Sequence, residues 1–115
     1  MKARFELKKT SSGEFMFNLI AANQEIILTS QMYRTRQNAE EGIAAVAHNA
    51  ALPERYEVKI GSNGQPYFVL HAANHLVIGR SEMYASREAM KKGIASVQRN
   101  APNAETVELT APARA

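Results

Sequence analysis

The sequence predicts an α+β fold in which two tandem β-β-β-α repeats and a C-terminal strand form one mainly antiparallel sheet with two helices packed on it. Three observations carry that prediction. The chain repeats itself at a spacing of about fifty residues, each repeat opens on strict polar and apolar alternation, and each closes on an apolar stripe at helical spacing. Writing Arg4 to Ala50 above Arg55 to Ala101 needs no gap, and about twenty of the aligned positions are identical, which duplication alone explains. Residues 1–110 are therefore expected to form one domain made of the repeats 4–50 and 55–101 and a closing strand 105–109, with 111–115 as a frayed tail.

The first strand of each repeat follows from alternation. Phe5 and Leu7 stand against Arg4, Glu6 and Lys8, and Tyr56, Val58 and Ile60 stand against Arg55, Glu57 and Lys59, which is the pattern of a half-buried strand. Ser11-Ser12-Gly13 and Ser62-Asn63-Gly64 supply the residues of a tight hairpin turn, leading to strands at Phe15 to Ile20 and Tyr67 to His71. Asn23 and Asn74 are expected to turn the chain in a left-handed conformation before Ile26-Ile27-Leu28 and Leu76-Val77-Ile78 complete each meander.

Thr35 and Ser86 are suitable N-caps, because a side-chain oxygen there accepts from an unpaired amide of the first helical turn. Beyond them Ala39, Gly42, Ile43 and Val46, and Met90, Gly93, Ile94 and Val97, mark one buried helical face. Asn49 and Asn100 are expected as left-handed stops, with Pro53 and Pro102 barring continuation. Glu105 to Leu109 lies at the repeat spacing from the strand beginning at Tyr56. That strand is expected to serve both repeats at once, closing the first and opening the second, so that it splices them through the middle of one sheet.

Composition excludes several classes of function. There is no cysteine, hence no disulfide framework, thiolate metal site or thiol catalysis. No stretch approaches the ~20 apolar residues of a membrane span, and Met1 to Thr10 lacks the apolar run of a secretory signal, so a cytoplasmic location and no membrane partner are expected. Net charge is +3 and the pI is about 9.4, with basic and acidic residues spread over both halves, a weak signal for nucleic acid.

At this point the motifs resemble a known family. Ala21-Ala22-Asn23, Leu28-Thr29-Ser30, Tyr33 and Gly42-Ile43, and then Ala72-Ala73-Asn74-His75, Met83-Tyr84 and Gly93-Ile94-Ala95-Ser96-Val97, resemble the two repeats of the YegP-like proteins in their duplicated form. The resemblance covers nearly the whole chain. It implies a two-layer fold whose units exchange their closing strands, an internal pseudo-dimer that makes a monomer the expected state, and no activity or functional residue to carry over.

Each candidate for chemistry has a plainer structural account. His71 and His75 flank a turn, but a metal site needs three or four ligands and no Asp or Cys stands near them; His48 suits a helix C-terminus. Glu6 and Glu57, equivalent in the repeats, are candidates for paired carboxylates across the sheet, yet Arg4, Lys8, Arg55 and Lys59 share their strand faces and make a surface charge lattice the simpler reading. Ser30 and Ser81 have no Ser-His-Asp set, since the chain lacks Asp, and Gly61-Ser62-Asn63-Gly64 is not a phosphate loop. Neither a catalytic residue, a metal nor a cofactor is expected.

Gly42 and Gly93 are different, because glycine inside a helix costs ~1 kcal/mol relative to alanine and some close contact must offset it twice. Met32-Tyr33 and Met83-Tyr84 precede the helices in matched positions, and Arg36 and Arg87 sit in the first helical turns. Tyr33, Arg36, Tyr84 and Arg87 are accordingly the expected binding residues of a non-catalytic module for a protein or a small anionic ligand. The alternative is weak nucleic-acid binding by Arg4, Lys8, Arg55 and Lys59 on a sheet face, although no aromatic pair is expected beside them for stacking.

Overall fold

Both hairpin turns are built on a glycine in a conformation that a side chain disfavours. In a computed structural model that describes residues 2–109, Gly13 has φ +87° and Gly64 has φ +82°. They connect β1 (Arg4–Lys9) to β2 (Phe15–Ile20) and β4 (Tyr56–Ile60) to β5 (Pro66–His71). β3 (Ile26–Thr29) and β6 (Val77–Arg80) follow, then α1 (Arg36–Asn49) and α2 (Arg87–Asn100), and β7 (Glu105–Leu109) ends the described chain. The expected tail at 111–115 lies outside the described residues.

The second turn of each meander corrects one expectation. The left-handed residues are Gln24 (φ 73°) and His75 (φ 70°), each one place after the asparagine. Asn23 Oδ1 accepts from the Glu25 amide at 3.1 Å and Asn74 Oδ1 from the Leu76 amide at 3.1 Å. The asparagine side chain thus closes a turn of its own and passes the positive φ to its successor.

Helix starts agree with the capping prediction. Thr35 Oγ1 accepts from the Asn38 amide at 3.0 Å and Ser86 Oγ from the Ala89 amide at 3.1 Å. Helix ends do not: Ala50 and Ala101 follow Asn49 and Asn100 in right-handed geometry, both at φ −61°, and the chain tightens into 3-10 turns at Pro53–Arg55 and Ala101–Asn103. Buried Asn49 is a cross-link instead of a stop, donating to the Ala45 carbonyl at 2.8 Å and accepting from Arg55 Nε at 2.9 Å. A 3-10 turn uses the last free carbonyls without a positive φ, so no left-handed residue is needed.

All seven strands form one sheet in the order β4-β5-β6-β3-β2-β1-β7, antiparallel except for the parallel pair β1–β7. The two repeats meet at β3 and β6 through the pair Thr29↔Arg80. β4 is therefore not the shared central strand. It lies at one edge, paired with β5, and β7 crosses to the opening strand of the first repeat. A pseudo-twofold relation brings the last meander strands together and sends both opening strands outward, which leaves β4 nothing of the first repeat to close.

Both helices cover one sheet face, and the alternating residues of that face make a single core. Phe5, Leu7, Phe17, Leu19 and Leu28 from the first repeat join Phe68, Leu70 and Ile78 from the second beneath Val46, Met90 and Val97. Complete burial of a side chain of this size contributes roughly 1.5 to 3 kcal/mol. Tyr56 ties β4 to α1, its hydroxyl donating to the Ala50 carbonyl at 2.6 Å.

Candidate functional site

The segment between the third strand and the helix is positioned by a serine. Ser30 Oγ accepts from the Phe17 amide at 2.9 Å and donates to the Gln31 carbonyl at 2.7 Å; Ser81 repeats this with the Phe68 amide at 3.0 Å and the Glu82 carbonyl at 2.8 Å. Both hydroxyl protons are thereby held by carbonyls within hydrogen-bond distance. Just beyond, Tyr33 exchanges two backbone bonds with Phe15, at 2.8 and 2.7 Å, whereas Tyr84 makes a single one, to the Pro66 carbonyl at 2.9 Å, because proline has no amide to donate.

These anchors lay each tyrosine ring between the sheet and its own helix. Tyr33 stacks on Phe17 with centroids 6.2 Å apart and Tyr84 on Phe68 at 6.2 Å, with the rings within about ten degrees of parallel. The far end of each ring rests on the helical glycine: a Cβ at Gly42 would stand 2.7 Å from Tyr33 Cζ, and one at Gly93 would stand 2.6 Å from Tyr84 Cζ. The costly glycines and the matched tyrosines are thus one feature. Burial raises the pKa of both phenols above the usual value of 10.0, so each is a neutral hydroxyl at neutral pH.

Each tyrosine borders a groove that needs both repeats. Around Tyr33 a groove of about 320 Å³ is walled by Asn38, Glu41 and Gly42 of α1 and by Asn74 and Leu76 from the turn of the second repeat. Around Tyr84 one of about 370 Å³ is walled by Lys92, Gly93 and Ser96 of α2 and by Asn23 and Glu25 from the turn of the first. Shape is repeated but chemistry is not, since Glu41 and Leu76 on one side correspond to Lys92 and Glu25 on the other.

The expected arginines stand apart from these grooves. Arg36 pairs with Glu40 at 3.5 Å and with Glu108 of β7, so it clamps the edge strand to α1. Arg87 makes no ion pair among the described residues. Met32 and Met83, at 52% and 45% exposure, flank the junctions on the surface.

Other expected groupings separate in space. β1 and β4 are five strand spacings apart, about 24 Å, which keeps Glu6 from facing Glu57. Glu6 is paired with Arg4 at 2.8 Å, and Glu57 accepts from His71 Nε2 at 2.8 Å with Lys59 at 3.6 Å. The hydrogen bond from His71 chiefly, and Lys59 after it, lowers the Glu57 pKa below the usual carboxylate value. His71 reaches the His75 carbonyl, at 3.0 Å, and no cluster able to hold a metal occurs among the described residues. Arg4 and Lys8 of β1 lie the same five strand spacings from Lys59 of β4, and Arg55 is engaged with Asn49, so the four do not make one basic patch.

One group was missed by the sequence reading. On the sheet face away from the helices, Tyr67, Lys59, Arg80 and Thr29 line a shallow basin of about 310 Å³, so an aromatic ring does accompany basic groups there. Alternation with buried Phe68 places Tyr67 on that face, but Arg80 joins it only through the pairing of β5 with β6. No helix among the described residues is long and apolar enough to cross a membrane.

The chain matches known proteins over most of its length. The family described as a domain of unknown function, DUF1508, matches residues 11–57 and 62–108, two segments at the spacing of the internal repeat. UPF0339 protein PM0519 of Pasteurella multocida is 50% identical over 106 residues, 92% of this chain and 93% of that protein. The solution structure of UPF0339 protein SO3888 from Shewanella oneidensis is similar with a TM-score of 0.89 at 41% identity, over 95% of this chain and 92% of that one. That of YegP from Escherichia coli, described as a protein of unknown function, gives 0.88 at 47% identity over 94% and 93%.

Proposed function

We propose that this chain, which belongs to the DUF1508 family and is similar to its two-repeat YegP members, is a small cytoplasmic, monomeric, non-catalytic interaction module. Its contact sites are the two strand-helix junctions, each centred on the groove beside Tyr33 or Tyr84, with Arg36 and Arg87 three residues further on and outside the groove walls. One observation carries the reading: the same tyrosine-on-glycine junction is built twice, and each opens into a groove completed by the other repeat. A neutral phenol beside a mixed polar and apolar wall suits recognition of a protein surface or a small anion, and needs no cofactor. Absence of catalysis is supported by the serine hydroxyls held by carbonyls and by the distance between Glu6 and Glu57.

The test is affinity capture from native lysate with the intact chain as bait, beside Glu41→Lys, Lys92→Glu and the Tyr33→Phe/Tyr84→Phe pair. A partner that is retained by the unaltered chain and lost with a groove variant supports the reading. Capture unchanged by all of them removes it.

A second reading rests on Tyr67 beside Lys59 and Arg80, a stacking ring next to cations, and makes the open sheet face a weak nucleic-acid surface. Affinity for single-stranded oligonucleotides should then fall steeply with salt and with Tyr67→Ala. A flat salt dependence rejects it.

A further inference from the structure

The repeats part company at the outer edge of their opening strands. β1 is flanked by β7 in parallel register, Arg4↔Glu105 through Lys8↔Leu109. β4 carries the same alternation, pairs regularly with β5 from Tyr56↔Leu70 to Ile60↔Pro66, and has no partner on its other side among the described residues. Burial records the consequence. Phe5 and Leu7 are 0% and 1% exposed, while Tyr56 is half-buried and Val58 and Ile60 are 43% and 54% exposed on the helix-side face.

We propose that the free edge of β4 is a docking site for an extended acidic segment of a partner protein, added as a further strand parallel to β4. The template is inside the molecule. β7 adds to Arg4-Phe5-Glu6-Leu7-Lys8, and Arg55-Tyr56-Glu57-Val58-Lys59 offers the same backbone edge with nearly the same side chains. Main-chain bonds along such an edge supply affinity and alternate side chains supply selectivity.

The clamp is duplicated as well. Arg36 at the start of α1 holds Glu108 of β7, and its counterpart Arg87 at the start of α2 is exposed with no ion pair among the described residues. Thr106 and Glu108 stand beside Phe5 and Leu7 in the parallel register, so a docked segment would present a small polar residue beside Tyr56 and a glutamate beside Val58, within reach of Arg87. β7 itself carries Glu105 and Glu108 and no cation, and Arg87 complements such a charge. No proline or bulge guards β4 against pairing, whereas β2–β3 and β5–β6 both contain a register shift.

The inference goes beyond the junction reading and shares only Arg87 with it. It is tested by titrating the isotope-labelled full chain with a capped peptide of the sequence Ala104 to Leu109 and following backbone amides by NMR. Saturable shifts confined to Tyr56–Ile60 and the start of α2 are expected. Arg87→Glu should weaken binding by about threefold to tenfold, Val58→Glu should abolish it, and Lys92→Glu, which alters the Tyr84 groove, should leave it within about twofold. Shifts confined to Arg4–Lys8, meaning displacement of β7, overturn the proposal, as does the absence of saturation. Concentration-dependent dimerisation that protects the β4 amides without peptide also overturns it, because a second copy of this chain would then be the occupant.

Discussion

Leu7 and Val58 occupy the same place in the two repeats, next to an outer strand edge on the helix-side face, yet one is sealed and the other is nearly half exposed. Their sequence surroundings hardly differ. What differs is the outer neighbour, since β7 flanks the outer edge of β1 and no described strand flanks that of β4. Burial of an alternating strand is therefore set by the strand beside it, and a pattern that announces a half-buried strand says nothing of how well its buried half is covered.

The largest expected effect is on that pair. Leu7→Ala should destabilise by about 2 to 5 kcal/mol, as for other sealed core leucines, and Val58→Ala by less than about 1 kcal/mol. Urea unfolding measures both, and equal losses would break the comparison.

The tyrosine junctions sharpen it. Alanine for glycine in a helix interior ordinarily stabilises by ~1 kcal/mol, but at Gly42 and Gly93 the added carbon meets a tyrosine ring, and a net loss of about 1 to 3 kcal/mol is expected. Gly42→Ala should cost more, because Tyr33 is held by two backbone bonds and Phe17 Cε2 stands 3.1 Å from the added carbon, while Tyr84 is held by one bond and can yield. Combining each with its tyrosine-to-phenylalanine change should recover part of the loss in a double-mutant cycle.

Alkaline stability gives a smaller effect. Burial raises the pKa of Tyr33, Tyr56 and Tyr84 above 10.0, so the folded chain keeps phenolic protons that the unfolded chain releases. Their contribution is complete below the unfolded value and is lost as pH rises through the folded ones. Phenolate absorbance should rise together with unfolding for these rings, and Tyr56→Phe, which also removes the bond to Ala50, should lower stability by about 1 kcal/mol.

The smallest effect is at Glu57. Its lowered pKa means a contribution present above the unfolded carboxylate value and lost as pH falls through the folded one. Glu57→Gln should flatten the acid limb of the stability profile only slightly, because the group is exposed.

Turns and caps were legible because their causes are local. Gly13 and Gly64 announce a positive φ, and Thr35 and Ser86 announce an oxygen for a free amide. The left-handed residue was misplaced by one at Asn23 and Asn74, since composition marks an asparagine turn without saying whether its backbone or its side chain makes it. At the junctions, glycine and tyrosine were each conspicuous. Their contact was not, because it depends on how far α1 and α2 stand from the sheet.

By itself the sequence determined the repeat, the order of elements and the face that each side chain takes, which follow from spacing and short-range sterics, and it pointed to the family through the likeness of its motifs. Only the tertiary structure decided that β3 meets β6, that β7 crosses to β1, that Arg36 is engaged where Arg87 is not, and that each groove borrows a wall from the other repeat. The reason is that a strand's amides and carbonyls accept any neighbour alike. The choice among neighbours falls to the packing of the whole core, which no local stretch encodes.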